Sequence, residues 1–72
     1  MDATQCRMAR SGLNISGRDL AKLAGVGYAT LARFESGANI AEETREKLAN
    51  ALTHAGAQFT HRANRVAVSV PK

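Results

Sequence analysis

Residues 16–37 read SGRDLAKLAGVGYATLARFESG, and the spacing of their small and apolar side chains decides the fold. Leu20, Ala21 and Ala24 recur at i, i+1 and i+4, and Leu31 and Phe34 at i and i+3, so each half offers one apolar stripe of a 3.6-period helix. Two helices crossing at roughly 90 to 120° through a turn of about 3 to 4 residues need a small residue where the backbones approach. They also need a residue that tolerates positive φ in the turn. Ala21 and Gly25 meet those two demands, and the second helix is predicted to be presented outward.

Working outward, a first helix is predicted from about Ala3 to Gly12, with Ala9 and Leu13 inward, Arg7 and Arg10 on more polar sides, and Gly12 and Asn14 ending it. Cys6 shares the apolar register of Ala9 and Leu13 and reads as a small buried packing residue. Ser16 is placed to accept from the amide of Asp19, with Asp19 reciprocating as a short variant of the capping box, and the second helix then runs to Ala24. The third is predicted from near Gly27 to Ser36, with Gly37 as its left-handed stop. A fourth begins around Ala41, where Glu42 and Glu43 complement the positive end of the helix dipole, and Leu48, Ala51, Leu52 and Ala55 form its core stripe up to Gly56. Leu20, Ala21, Val26, Leu31, Phe34, Leu48 and Leu52 are the predicted core, Glu35 reads as structural, and Glu42, Glu43 and Glu46 with Arg45 and Lys47 read as a solvated face.

After Ala57 the period changes to two. Val66, Val68 and Val70 alternate with Ala67 and Ser69 as a strand, Gln58, Phe59 and Thr60 suggest a shorter partner strand, and His61 to Arg65 reads as the turn between them. Pro71 fits a strand stop. A lone hairpin is marginal in water and an edge of alternating valines is a template for another chain. Phe59, Val66, Val68 and Val70 are therefore the expected dimer interface, and a hairpin folded back on helix four of its own subunit, or a frayed end, is the alternative. The organisation expected is a helix-turn-helix unit at 1–56 and a dimerisation hairpin at 57–72, mainly α, with four helices or five.

Length and charge bound the rest. A 72-residue chain buries only ~60% of its unfolded surface, so its core is marginal and a partner subunit would help. Ten Lys and Arg against six Asp and Glu give a formal charge of +4, which favours polyanions such as DNA or an acidic membrane surface. No run approaches the ~18 apolar residues of a membrane span, and Met1 to Gly12 has no apolar h-region, so a cytoplasmic protein is expected. His54 and His61 stand alone, the single cysteine cannot form an internal disulfide, and no glycine-rich phosphate loop follows a strand. No metal, no cofactor and no enzymatic activity are expected.

These residues resemble the helix-turn-helix of the lambdoid repressor and Cro superfamily, the XRE type. The similarity takes in Leu20, Ala21, Gly25, Val26, Leu31, Phe34 and Gly37, runs upstream through Cys6 to Arg10, Leu13, Ile15 and Ser16, and downstream from Ile40 to Leu52. The resemblance implies a third helix lying in the major groove of double-stranded DNA, with Gly27, Tyr28, Ala29 and Arg33 at base-facing positions and Thr30 and Ala32 alongside. Arg33 is the leading candidate, because a guanidinium can bridge guanine O6 and N7 with two parallel hydrogen bonds; its alternative is a solvent-exposed helical arginine, or one paired with Glu35 or Asp19. Tyr28 can reach a phosphate or a thymine methyl, or pack on helix two. Ser16, Gly17, Arg18 and Asn39 are implied phosphate contacts, with Arg7 and Arg10 beside them, the amides at the start of helix two contributing through the dipole.

The chain departs from the family pattern in three places. Gly27 and Ala29 stand where serine, arginine or glutamine are usual, Gly17 where glutamine is usual, and the Ala38-Asn39 loop lacks basic residues. Readout is then expected to lean on Arg33, DNA shape or water, with modest nonspecific affinity. The resemblance implies a homodimeric regulator of the bacterial or phage kind, repressing by occupying an inverted-repeat operator, with activation through RNA polymerase as the other mode. The rival reading is an antitoxin-like adaptor that binds a partner protein and autoregulates its operon. RNA binding lacks an aromatic platform, with only Tyr28, Phe34 and Phe59 present.

Overall fold

The computed structural model describes residues 1–72. Four helices, α1 (Ala3–Leu13), α2 (Gly17–Ala24), α3 (Tyr28–Glu35) and α4 (Glu42–His54), precede an antiparallel hairpin of β1 (Gln58–Arg62) and β2 (Arg65–Ser69). The first helix opens with a capping box that the sequence reading had not used: Asp2 Oδ1 accepts from the Gln5 amide at 2.8 Å, and Gln5 Oε1 accepts from the Asp2 amide at 3.1 Å. It ends at Asn14, whose φ of 58° and ψ of 43° make the left-handed cap. Gly12 therefore lies inside the helix instead of ending it. At α2, Ser16 Oγ accepts from the Asp19 amide at 3.0 Å as expected, but Asp19 returns no bond, so the cap is one-sided.

The core joins all four helices through Cys6, Ala9, Leu20, Ala21, Leu31, Phe34, Leu48 and Leu52, with Ala57 sealing it at the start of the hairpin. Val26 is half-buried at its edge. Ala21 and Gly25 do what the spacing predicted: Ala21 is buried, and Gly25 caps α2 at a φ of 69°, a region that L-residues resist. Gly37 likewise takes a φ of 104° after α3. Ala55 corrects the predicted stripe of α4, since it is exposed; α4 turns away from the core after Leu52, and the chain leaves it at Ala55.

The hairpin is tighter than the sequence suggested. Arg62 pairs with Arg65 and the turn is only Ala63 and Asn64, because His61 and Arg62 continue β1. Ala63 holds a φ of 45°, a position that normally favours glycine or asparagine, which is why the turn carries little sequence signal. Phe59, Val68 and Val70 pack against the core of their own chain; β2 lies on α1, where the alternative reading had the hairpin on helix four, and Phe59 of β1 shares a groove with Gln5 of α1 and Arg45 of α4. Two contacts fix this seat. Gln5 Nε2 donates to the carbonyls of Thr60 and Ala67 at 2.9 and 3.3 Å, and a Cβ at Gly12 would lie 2.9 Å from Val70 Cγ2. Gln5 is 2% exposed with both ends of its amide bonded, so it ties the helix cap to the sheet at no desolvation penalty.

Candidate nucleic-acid interface

The exposed face of α3 follows from how its other face is spent. Leu31 and Phe34 are buried, three residues apart, which leaves Tyr28, Ala29 and Arg33 exposed and Thr30 and Ala32 half-buried. An α-helix with its side chains is about 10–12 Å across, which the ~12 Å wide major groove of B-DNA admits, and the eight residues of α3 extend about 12 Å along it. Gly27 is the N-cap and provides no side-chain bond, so the leading end of α3 is narrow and its first amides point outward. The helix closes when the Ser36 hydroxyl donates to the Ala32 carbonyl at 2.9 Å.

Three predicted contact residues meet at the junction of α2 and α3. The guanidinium of Arg18 lies 4.4 Å from the centroid of the Tyr28 ring, a cation-π stack on the outer surface. A Cβ at Gly17 would stand 3.0 Å from Tyr28 Cε1, so the ring occupies the space a side chain at 17 would need. The departure at Gly17 thus has a structural counterpart: glycine at 17 lets an aromatic residue at 28 lean on α2 while 44% of it stays exposed. Arg18 and Tyr28 together form a polar-tipped plate beside the amides of the α2 N-terminus, and Ser16 is exposed next to it.

Arg33 forms no ion pair, and the two carboxylates weighed as partners are otherwise placed. Glu35 is held by α1: Arg10 Nε donates to Oε2 at 2.8 Å, the second Arg10 nitrogen to Oε1 at 2.7 Å, and the Cys6 thiol to Oε2 at 3.1 Å. Arg7 donates to the Glu35 carbonyl, and the remaining Arg10 nitrogen donates to the Ile15 carbonyl at 3.3 Å. Burial pushes the Glu35 carboxyl up, but the Arg10 and Cys6 hydrogen bonds and the charges of Arg10 and Arg7 outweigh it, so the group is held below its ordinary range. Burial first, and then the bond to Glu35, push the Cys6 thiol well above its usual value, so it stays a neutral donor. The bond to Glu35 raises Arg10 despite its partial burial. This cluster clamps the last turn of α3 onto α1.

Of the predicted phosphate contacts, Ser16, Gly17 and Arg18 therefore surround the leading ends of α2 and α3, and Asn39 is exposed in the separate loop between α3 and α4. Arg7 and Arg10 sit at the other end of α3, bonded to Glu35. Phe59, Val68 and Val70 face inward on the core, and of the four predicted interface residues Val66 alone is half-buried without packing on it. Sequence reasoning missed the Arg10–Glu35 pair, which spans 25 residues and leaves no local pattern, and the Arg18–Tyr28 stack, which depends on the turn. It also passed over Asp2 and Gln5, whose three-residue spacing was a readable cap signal.

The four pockets are open grooves. The widest, about 480 Å³, lies between α2 and α4, walled by Leu23, Ala24, Ala51 and Ala55 and rimmed by Lys47 and His54. No group of His, Cys, Asp and Glu is arranged to hold a metal ion, and no helix is long and apolar enough to cross a membrane.

Comparison with known families gives a match over most of the chain. A family profile described as helix-turn-helix covers residues 7–53, which takes in α1 from Arg7, both helices of the turn and α4 to Thr53, and stops before the hairpin. No curated protein matches the chain.

Proposed function

The chain belongs to the XRE-type helix-turn-helix family of DNA-binding transcription regulators, and on that premise we propose that it is a homodimeric repressor reading an inverted-repeat operator. Residues 27–36 enter the major groove, Gly27, Tyr28, Ala29, Thr30 and Arg33 face base edges, and Ser16, Gly17, Arg18 and Asn39 bind phosphates. Arg7 and Arg10 add charge from behind, and Arg10 chiefly holds α3 in place through Glu35. The observation that carries this reading is the unpaired, exposed Arg33 on a helix whose inner face is spent on the core through Leu31 and Phe34. A bidentate bond to guanine is the contact its chemistry suits best.

Dimerisation runs through the hairpin. With Phe59, Val68 and Val70 engaged on the core of their own chain, Val66 and the unpaired edges of a two-stranded sheet are the part left for a second copy. Half-sites then lie about one helical turn apart, ~34 Å. The protein acts in the cytoplasm, at the nucleoid, and represses by covering promoter DNA, its own upstream region first. The test is fluorescence anisotropy with that upstream duplex beside scrambled DNA near physiological salt: a preference of ~10³-fold or more is expected, and equal, weak binding to both would overturn the reading.

The antitoxin-like reading draws on a different observation. Leu23 is 66% exposed on the wall of the apolar groove between α2 and α4, away from the face of α3. A partner protein seated there would co-purify with the native chain, and Leu23→Glu would release it without changing operator affinity.

A further inference from the structure

The net charge of the chain is not spread over the fold. Residues 1–56 hold seven Lys and Arg against six Asp and Glu, whereas 57–72 hold three against none, so three of the four net charges sit in the hairpin segment. Several cations of the helices are also spent internally: Arg10 on Glu35, Arg45 on Glu42, and Lys47 at 4.0 Å from Glu43. Arg62 and Arg65 are not. They are direct cross-strand partners at the tip, both exposed and outside every ion pair. Like charges directly opposite on a sheet are destabilising, so the pair opposes the fold that carries it.

The outward face that bears them carries no large apolar side chain, with Gln58, Thr60, Arg62, Arg65, Ala67 and Ser69 all exposed. Its position follows from the seat on α1. Gln5 bonds Thr60 and Ala67, and Arg62 and Arg65 lie two residues further on, about 7 Å at strand rise. From Gln5 to the helix cap at Asp2 is only about 4.5 Å at helix rise. The tip therefore extends beyond the start of α1, and His61 shares a depression with Asp2 and with Arg45 in the first turn of α4. That turn follows directly from the loop 36–41, which leaves α3, carries Asn39 and contains no Lys or Arg.

We propose that Arg62 and Arg65 are phosphate contacts: the hairpin tip neutralises the backbone of duplex DNA beside the base pairs read by α3, supplying cations that the loop between α3 and α4 lacks. The inference rests on the DNA-binding reading above. It assigns the hairpin two surfaces, an inner one that seats on α1 and an outer one for phosphate. Phosphate contacts carry affinity and salt dependence without sequence preference, whereas Arg33 carries preference.

The test compares the intact chain with Arg62→Gln/Arg65→Gln on operator and scrambled duplexes between 50 and 200 mM salt, with sedimentation and thermal melts of both proteins. Each phosphate contact contributes about 0.9 to the slope of log K against log salt, so the variant should lose about 1.8, with equal weakening on both duplexes. Over that salt range the wild-type affinity should fall about 12-fold more than the variant's. Assembly and melting should be unchanged or improved. A steep wild-type slope matched by the variant overturns the tip contacts alone, as does a reduced slope that appears only with loss of the dimer. A flat wild-type response on both duplexes would instead overturn DNA binding itself.

Discussion

Removing the carboxylate of Glu35 tests the clamp between α1 and α3 most directly. Glu35→Ala deletes three accepted hydrogen bonds, two from Arg10 and one from the Cys6 thiol, and leaves the Arg10 guanidinium without its counter-charge. Breaking a fully buried pair costs about 3–5 kcal/mol, and an exposed pair is worth ~0–1 kcal/mol. With the Arg10 and Glu35 side chains 24% and 11% exposed, this pair lies nearer the buried limit, and a loss of about 2–3 kcal/mol is expected. A chain of 72 residues has only about 4–11 kcal/mol of stability in total, so Tm should fall by roughly 10–20 °C. Arg10→Met with Glu35→Leu should recover most of that loss, because an apolar pair of similar volume leaves no charge uncompensated.

The same cluster sets an acid limit. The Glu35 carboxyl is held below its unfolded value of about 4.3, so its contribution is fully present above that pH and is lost as pH falls through the lower folded value. Calorimetric melts from pH 7 downward should show the wild-type Tm dropping more steeply below pH ~4.3 than that of Glu35→Ala. Melting of the variant within about 2 °C of wild type at neutral pH, or pH profiles that superimpose, would mean that water screens the pair and that α3 is held by the apolar core alone.

Three further outcomes are expected. Arg33→Ala should keep the wild-type melt and lose about 1–3 kcal/mol of discrimination, roughly 5- to 150-fold in the operator-to-scrambled ratio; an unchanged ratio would remove it from base reading. Val66→Asp should give monomers in sedimentation with a melt near that of the wild-type monomer, since Val66 does not pack on the core, and a persisting dimer would take the hairpin out of the interface. Gly12→Ala should fail to give the ~1 kcal/mol that alanine normally adds inside a helix, because its Cβ would meet Val70, and in a Val70→Ala background the gain should return; a higher Tm for Gly12→Ala alone would show that the contact yields freely.

What could be read from the sequence was local. The two stripes of residues 16–37, Gly25 at positive φ, Ser16 accepting from the Asp19 amide and the alternation of Val66, Val68 and Val70 each concern residues within about one turn or one strand of each other, where spacing alone fixes which side chains share a face. The family followed from the same short spacings, and the match over residues 7–53 accords with it. Tertiary structure decided whatever depends on which surfaces meet. It turned the valine face onto α1, made Gly12 a point of close approach, paired Arg10 with Glu35 across 25 residues, and fitted Tyr28 into the space left by Gly17. Each of these is set by the distance between elements far apart in the chain, and a period of 3.6 or 2 carries no information about that distance; it says which way a side chain points from its own backbone, and not what stands opposite.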